Sequence, residues 1–212
     1  MVAGFASSQP NETLMAYARH VWQDGGGNVA LDLGCGAARN ALPLALDGWR
    51  VVGTDRSRPM LDAARERVRP TPAATRALFV EAPMDALPVA SACADLIVAH
   101  GIWNLARSAR EFRDAVREAA RAARPNAALF VFTFSRHTLP PGVRPVEGET
   151  FVFTQFSGER QCFLTRGELL AELDAAGFTP DPAVPLTELN RRSGLVPASG
   201  PVIYQAAFRF TA

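Results

Sequence analysis

One run, from Asn28 to Asp55, constrains the fold of this chain more than any other feature. It contains two short apolar segments of strand length, separated by a glycine turn and a short helical segment. The segments Val29 to Leu33 and Trp49 to Gly53 are typical of buried strands, and Asn40 to Leu46 is typical of a helix. This order predicts two parallel strands whose carboxyl ends meet at the same edge of a sheet.

The turn and the acid after the second strand indicate what this edge binds. Gly34 and Gly36 allow a ligand to approach the backbone, and amides at the start of the following helix favour an anion. Asp55 closes the second strand, where a carboxylate can accept hydrogen bonds from two ribose hydroxyls. The run therefore predicts a nucleoside-binding half-fold.

The turn lacks the glycine pattern of a dinucleotide site. A G-x-G-x-x-G turn needs its third glycine for close packing of helix and strand near a pyrophosphate, and that position is Arg39. Asp32 precedes the turn, where its charge opposes a diphosphate but suits an ammonium group. A ligand with an adenosine end, a cationic centre and an amino-acid end fits better, and S-adenosylmethionine has these three parts.

The same motifs carry a family resemblance. "LDLGCGAARN", followed by Asp55 after the next strand, resembles the first two motifs of class I S-adenosylmethionine-dependent methyltransferases, with Ala38 where the family has a further glycine. "GCGxxRN" is similar to the small-molecule branch that includes the tellurite-resistance methyltransferases. The resemblance continues through "APMDALP", "ADLIVAHGIWNL", "ALFVFTFS" and "FLTRGELLAELDAAGF", and so spans roughly residues 11–178.

The resemblance implies roles for the residues at this edge. Asp32 would hold the methionine ammonium, directly or through water, and Asp55 would hold the ribose. An acid after the third strand, Asp85, would accept from the adenine amino group, while Met84 packs against or pairs with the ring. The full set of expected cofactor-binding residues is Asp32, Gly34, Cys35, Gly36, Arg39, Asn40, Asp55, Arg56, Met84, Asp85 and His100.

The acceptor side is less defined by the sequence. The segment "HGIWN" after the fourth strand faces the methyl group in this architecture, so His100 is a candidate general base or, alternatively, lines the methionine end of the cofactor. Trp103 is a candidate aromatic wall for the sulfonium or the substrate, with core packing as the alternative. Arg136 and His137 follow the fifth strand and are candidate substrate contacts.

Strands that alternate with helices predict a parallel sheet with helices on both faces. The resemblance implies a Rossmann-like sheet of seven strands, mostly parallel, with the last strand antiparallel. We expect a single methyltransferase domain over residues 1–212, with a hairpin inserted as a lid at residues 136–163.

The composition of the chain limits the kinds of partner that we expect it to bind. The net charge of +1 gives no reason to expect a nucleic-acid or membrane surface, and no apolar stretch approaches the roughly 18 residues of a membrane span. The 3 cysteines are widely spaced, which fits a reducing cytoplasm and gives no support to a metal site. We expect a cytoplasmic monomer or homodimer that methylates a small molecule by in-line displacement.

Three other functions remain open at this point. A non-catalytic protein that binds S-adenosylmethionine or S-adenosylhomocysteine would have an occluded or absent substrate pocket. A protein methyltransferase would need an open groove. A nucleotide-dependent oxidoreductase shares the half-fold, but Asp32 and Arg39 disfavour it.

Overall fold

A computed structural model describes residues 9–25, 27–191 and 200–212 of the chain. An eight-stranded sheet runs through this part of the molecule, in the order β3-β2-β1-β4-β5-β10-β8, with β9 also paired to β10. The strands are β1 (Val29–Leu33), β2 (Arg50–Asp55), β3 (Ala77–Glu81), β4 (Ala94–His100), β5 (Ala123–Phe134), β6 (Val152–Phe153), β7 (Gln161–Cys162), β8 (Phe178–Pro180), β9 (Thr187–Leu189) and β10 (Ile203–Phe210). Strands β6 and β7 form a separate hairpin.

The predicted fold class is confirmed, and the predicted number of strands is wrong. Strands β1 to β5 pair in parallel, and β10 runs antiparallel to β5. The additional strand is β9, which pairs with Ile203–Gln205 of β10, while β8 pairs with the far end of the same strand edge. It has three residues and follows a proline-rich segment, so it is too short to produce an alternating pattern in the sequence.

Five helices cover the two faces of the sheet in the described residues. They are α1 (Glu12–Gln23), α2 (Ala41–Leu46), α3 (Arg58–Val68), α4 (Ala109–Ala122) and α5 (Arg166–Asp174). The first three pack on one face, and α4 and α5 pack on the other. Each face of the sheet has its own hydrophobic core, and alternate residues of β4 point into one or the other. Leu96 and Val98 pack in the core under α1 to α3, while Ile97 and Ala99 pack in the core under α4 and α5. This burial on both faces explains why the strands are apolar throughout.

The first turns of α4 and α5 are stabilised by side chains that cap the helices. At α5, Thr165 and Glu168 form a complete reciprocal capping box. At α4, Ser108 accepts from the backbone N–H of Glu111, but the Glu111 carboxylate accepts from the backbone N–H of Arg107 instead of that of Ser108. The Glu111 carboxylate is thereby placed beside the ends of the strands.

The hairpin of β6 and β7 lies between β5 and α5 and covers part of the same edge. Its aromatic side chains Phe153, Phe156 and Phe163 pack with one another and with Phe134 at the end of β5. The Cys162 thiol donates to the carbonyl of Ala106 at 3.3 Å, which ties the hairpin to the turn after β4. None of the helices described in the structure has the length and apolar character needed to cross a bilayer.

Candidate active site

A cavity of about 810 Å³ lies at the carboxyl ends of β1, β2, β4 and β5. The side that follows β1, β2 and β3 contributes Asp32, Gly34, Cys35, Gly36, Ala37, Arg39, Asn40, Thr54, Asp55, Arg56, Ser57, Met60, Ala82 and Met84. The side that follows β4 and β5 contributes His100, Gly101, Ile102, Asn104, Leu105, Arg107, Glu111, Phe134 and, from the hairpin, Gln161. Ten of the predicted site residues therefore lie together, as the crossover in strand order between β1 and β4 requires.

The glycine turn adopts backbone angles that side chains disfavour. Gly34 has φ +64°, and a Cβ atom there would lie 2.6 Å from the Ile102 side chain. Gly36 has φ +52° with open space where its Cβ would be. Ala38, which stands where the family has glycine, also has a positive φ of 59°. An L-residue is disfavoured in this region by about 1–2 kcal/mol, so the departure from the motif carries backbone strain.

A third glycine, not singled out from the sequence, supports the turn from the neighbouring strand. A Cβ atom on Gly53 of β2 would lie 2.8 Å from both the Cys35 sulfur and the Phe79 ring. Burial raises the pKa of the Cys35 thiol, with the charges of Asp32 and Asp55 acting in the same direction. Cys35 is therefore a protonated packing residue at the cavity wall. An isolated glycine inside an apolar strand is the signal that indicates such a close approach.

Asp32 is the most unusual group in the cavity. It is 2% exposed, and its Oδ2 atom has no hydrogen-bond partner. Burial raises the pKa of this carboxyl from 3.8 to about 7, and Asp55 adds to the rise while Arg39 opposes it. A buried carboxylate oxygen without a partner costs stability unless a donor supplies the missing contact. The arrangement therefore fits a ligand with an ammonium group.

Asp55 is held in place by the turn that it faces. Its Oδ2 accepts from the backbone N–H of Gly36 at 2.9 Å, and its Oδ1 accepts from that of Ser57 at 2.8 Å. These two bonds fix the carboxylate plane across the ends of β1 and β2. Each oxygen keeps a second lone pair, which is available to a hydroxyl in the cavity.

His100 is kept neutral by its surroundings. The Arg39 guanidinium lies 2.7 Å from its Nδ1 atom, the Asn11 amide nitrogen lies 3.2 Å from its Nε2 atom, and the ring stacks on Phe132 at 4.1 Å. Burial and, to a smaller extent, the positive charge of Arg39 together lower the pKa of His100 to about 3. The imidazole therefore acts as a hydrogen-bond partner for Arg39 at neutral pH, and it is a poor proton acceptor.

A polar network behind His100 was not predicted as part of the site. The backbone N–H of Asn11 donates to Asn40 Oδ1 at 3.1 Å, and the Asn11 side-chain amide donates to Gln205 at 3.0 Å. The Asn11 side-chain oxygen also caps α1, which is the only role that its sequence position indicates. The network joins α1, the glycine turn and β10, segments whose contact no local pattern in the sequence reports.

The hairpin side of the cavity has a different chemistry. Asn104 is 3% exposed, and its Oδ1 atom has no hydrogen-bond partner. Leu105, Phe134 and Gln161 complete this side. None of these four residues was singled out from the sequence. Asn104, Leu105 and Phe134 lie within segments that carry the resemblance, but no individual role was assigned to them, and Gln161 lies in the hairpin.

Four of the residues singled out from the sequence lie off the cavity wall. Asp85 follows the lining residue Met84 but does not itself line the cavity. Trp103 is fully buried and packs edge-on against Phe112, so its ring belongs to the core.

The other two follow β5. Arg136 donates to the carbonyl of Phe163 at 2.7 Å and lies over the Phe153 ring, while His137 pairs with Glu188 at 2.7 Å. Both are thus engaged in holding the hairpin and β9.

Three charged residues form an ion-pair cluster beside the cavity, with one carboxylate between two arginines. Glu111 pairs with Arg107 at 3.3 Å and lies 4.0 Å from Arg56, which reaches it from the end of β2. Across the described ranges, no cluster of three or more His, Cys, Asp or Glu side chains has an arrangement that would hold a metal ion.

The family model described as "Methyltransferase domain" matches residues 31–131. The matched region begins within β1 and ends within β5, so it contains the glycine turn, Asp55 and the whole of β4. No curated protein matches the chain. The match bears on the part of the molecule that forms most of the cavity wall.

Solved structures share the fold at low sequence identity. An S-adenosylmethionine-dependent methyltransferase from Mesorhizobium loti is 18% identical, with a TM-score of 0.69, covering 94% of this chain and 98% of that one. The 1,6-didemethyltoxoflavin-N1-methyltransferase of Burkholderia thailandensis, solved with 1,6-didemethyltoxoflavin and S-adenosylhomocysteine, is 20% identical, with a TM-score of 0.68 and coverages of 95% and 79%.

A third structure, the [4+2]-cyclase SpnF, is 23% identical, with a TM-score of 0.65 and coverages of 87% and 64%. At these identities the likeness shows the fold alone, and the cyclase demonstrates that this fold also carries other reactions.

Proposed function

Because residues 31–131 match a methyltransferase domain, we propose that this chain transfers the methyl group of S-adenosylmethionine to a small-molecule acceptor. The observation that carries the proposal is the buried Asp32 carboxylate with its unpartnered Oδ2 atom beside the glycine turn. When bound, S-adenosylmethionine supplies an activated methyl group and leaves as S-adenosylhomocysteine.

Each polar part of this cofactor has a candidate partner in the cavity. Asp32 accepts from the ammonium group, and the Arg39 guanidinium, oriented by His100, is available to the carboxylate. Asp55, already fixed by Gly36 and Ser57, accepts from the ribose hydroxyls. Gly34, Cys35, Gly36 and Asn40 form the turn against which the methionine part lies, and Arg56 and Met84 flank the adenine.

The residues act mainly by positioning and by exclusion of water. A methyl group on a sulfonium is already activated, so alignment of the acceptor with it accounts for most of the required catalysis. His100 orients Arg39 and stays neutral, which fits a mechanism without a strong general base. Proton loss from the acceptor then occurs to water at the rim.

The covered cavity supports a small acceptor over a protein side chain. The hairpin closes one side, and its Cys162 and Phe163 side chains are fully buried. A protein methyltransferase would need an open groove there. The similarity of "GCGxxRN" to the tellurite-resistance branch points in the same direction, and the three free cysteines support the proposed cytoplasmic location.

Isothermal titration tests the cofactor assignment directly. The wild type would be titrated with S-adenosylmethionine, S-adenosylhomocysteine and NADH, and the first two alone should bind at micromolar concentration. Asp55→Ala should abolish this binding. Asp47→Asn is a matched control, because Asp47 makes only an exposed ion pair with Arg19.

A methyl-transfer screen separates catalysis from binding. Release of S-adenosylhomocysteine in the presence of a metabolite library supports the proposal. Binding of NADH alone would refute it. Binding of S-adenosylmethionine without turnover of any member would favour a non-catalytic or cyclase-like role.

A further inference from the structure

The residues on the hairpin side of the cavity are candidates for contact with the acceptor, whereas those of the glycine turn are candidates for contact with the cofactor. The short turn Trp103–Leu105 packs against β5 and β7, and its Asn104 and Leu105 line the cavity. An acceptor must reach the methyl group from a side that the adenosine does not occupy. If the proposed function holds, the surface of Asn104, Leu105, Phe134 and Gln161 therefore contacts the acceptor.

Two residues that line this cavity have a buried side-chain oxygen without a hydrogen-bond partner. Among the described residues, four buried side-chain atoms lack a hydrogen-bond partner: Asp32 Oδ2, Trp103 Nε1, Asn104 Oδ1 and Thr133 Oγ1. Only Asp32 and Asn104 of this set line the cavity. A buried acceptor without a donor destabilises the empty protein, so a ligand that supplies the donor gains specificity. Asp32 is matched by the cofactor's ammonium group, which leaves Asn104 for the second substrate.

The charged residues that line the cavity lie mostly on the glycine-turn side, which carries Asp32, Arg39, Asp55 and Arg56. The hairpin side carries Arg107 and Glu111, which pair with each other. No charged side chain is present in the four-residue surface of the hairpin side. Arg136, which follows β5, is engaged by the Phe163 carbonyl and by Glu168. A carboxylate or phosphate on the acceptor would therefore meet no cationic side chain on this side other than Arg107, which Glu111 already engages.

The aromatic residue of this side, Phe134, is held rigidly by its neighbours. Its ring stacks with Phe163 at 5.4 Å between ring centroids, and Phe156 packs edge-on against both at 5.3 and 5.8 Å. These neighbours fix the Phe134 ring as an apolar surface, which favours a flat ligand that stacks on it at little entropic cost.

We infer that the acceptor is an uncharged, flat aromatic or heteroaromatic molecule that donates an N–H or O–H hydrogen bond to Asn104 Oδ1. Its nitrogen or oxygen lone pair forms the new bond to the methyl carbon as the carbon–sulfur bond breaks. The proton of the methylated group passes to water. Asn104 is thus a specificity-determining residue, and Gln161 provides a second polar contact.

The test uses full-length protein saturated with S-adenosylhomocysteine and matched pairs of aromatic probes. Each pair contains an uncharged compound and its carboxylate: 7-hydroxycoumarin with its 3-carboxylate, indole with indole-2-carboxylate, and 2-naphthol with 6-hydroxy-2-naphthoate. The uncharged members are expected to bind at least tenfold more tightly. Asn104→Leu is expected to weaken their binding about fivefold to tenfold, with the affinity for S-adenosylhomocysteine unchanged.

A second readout excludes a merely structural role for Asn104. Because Asn104→Leu removes a buried amide with an unsatisfied oxygen and keeps the branched shape of the side chain at Cγ, it should raise the melting temperature of the ligand-free protein while weakening probe binding. Gln23→Leu at the exposed end of α1 is the control and should change neither. If the leucine variant does not fold, Asn104→Ala serves in the binding assay.

Three results would overturn the inference. The first is equal or tighter binding of the carboxylates, and the second is no binding of any uncharged probe to the loaded wild type. The third is a loss of S-adenosylhomocysteine affinity in the Asn104 variants as large as the loss for the probes, which would assign Asn104 to the cofactor. Failure of the proposed function is distinct, because the wild type would then not bind S-adenosylhomocysteine at all.

Discussion

The two sides of the cavity differ in how the chain assembles them. The glycine-turn side comes from one continuous run, in which β1, α2 and β2 bring Asp32, Gly36 and Asp55 together. The hairpin side comes from three separate segments, which contribute Asn104, Phe134 and Gln161. The first side is held by backbone hydrogen bonds to carboxylates, and the second by packing of aromatic rings.

This difference indicates which side is tied to a fixed ligand. Positive φ angles, an internal glycine at position 53 and a buried carboxylate restrict the sequence severely, so this side suits an unvarying cofactor. Packing against Phe134 and a hairpin tolerates exchange of side chains, so this side suits an acceptor that differs between proteins. Substitutions on the two sides should therefore separate cofactor affinity from acceptor affinity.

The largest expected effect is on the glycine-turn side. Asp32→Asn removes the charge that meets the cofactor's ammonium, and we expect the Kd for S-adenosylhomocysteine to rise about 100-fold, equivalent to about 2.7 kcal/mol. The variant should fold, since a neutral amide is less costly to bury than an ionised carboxylate. Titration calorimetry measures the loss, and a change below threefold would contradict the assignment of Asp32.

The second effect is a pH dependence of cofactor affinity that belongs to the same carboxyl. With the pKa of Asp32 raised to about 7, the ligand-free protein holds a proton there below pH 7 and must release it to bind an ammonium. The affinity for S-adenosylhomocysteine should then fall by up to about tenfold for each pH unit below 7 and level off above it. This dependence should be absent in Asp32→Asn.

The same pKa shift has a consequence for stability. A carboxyl whose pKa is higher in the folded than in the unfolded chain favours folding when protonated, and this advantage is lost as the pH rises towards 7. The free energy of unfolding of the ligand-free protein should therefore decrease between pH 4 and 7, by up to about 4 kcal/mol from this group. Urea titrations across this range measure it, and an equal slope in Asp32→Asn would assign the decrease to other groups.

Much of the fold was predictable because its signals are local. Apolar strands of five to seven residues, the capping residues of α1, α4 and α5, and the glycine turn each appear as short patterns. Strand β9 was not predicted because its three residues are defined as a strand only by their pairing with β10. The eighth strand is thus a product of tertiary structure, not of local propensity.

The residues of the site likewise fall into those that a local motif predicts and those that only the tertiary structure brings into the site. Ten residues singled out from motifs line the cavity, because a motif fixes both the residue type and its position at a strand end. Trp103 was a candidate ligand wall, yet its ring turns into the core beside Phe112. Asn11 and Asn104 were not singled out, since an asparagine in a cap or a turn is common. Asn104 is distinguished by its burial, and Asn11 by its hydrogen bonds to Asn40 and Gln205, which no local pattern reports.

A smaller effect is expected on the hairpin side. Gln161→Met keeps the length of the side chain but removes the amide, which accepts from Ser157 at 2.9 Å and lines the cavity. We expect the KM for an uncharged aromatic acceptor to rise about threefold to fivefold, with the Kd for S-adenosylhomocysteine unchanged. Arg160→Gln, on an exposed neighbour, is the control. A parallel change in both constants would show that the two sides are not independent.

The smallest effect is expected at His100, where the two sides meet. Since burial and Arg39 keep its pKa near 3, the imidazole is neutral across the working range and contributes an acceptor for the guanidinium. His100→Gln preserves an acceptor oxygen, so we expect kcat to fall only about twofold to threefold and its pH profile between 6 and 9 to keep its shape. Stopped-time assays of S-adenosylhomocysteine release, with an uncharged probe as acceptor, measure both quantities. A loss of 100-fold or more, together with the disappearance of an ionisation from the profile, would identify His100 as a general base. Catalysis would then depend on proton transfer from the acceptor to His100, and not only on the alignment of the acceptor with the methyl group.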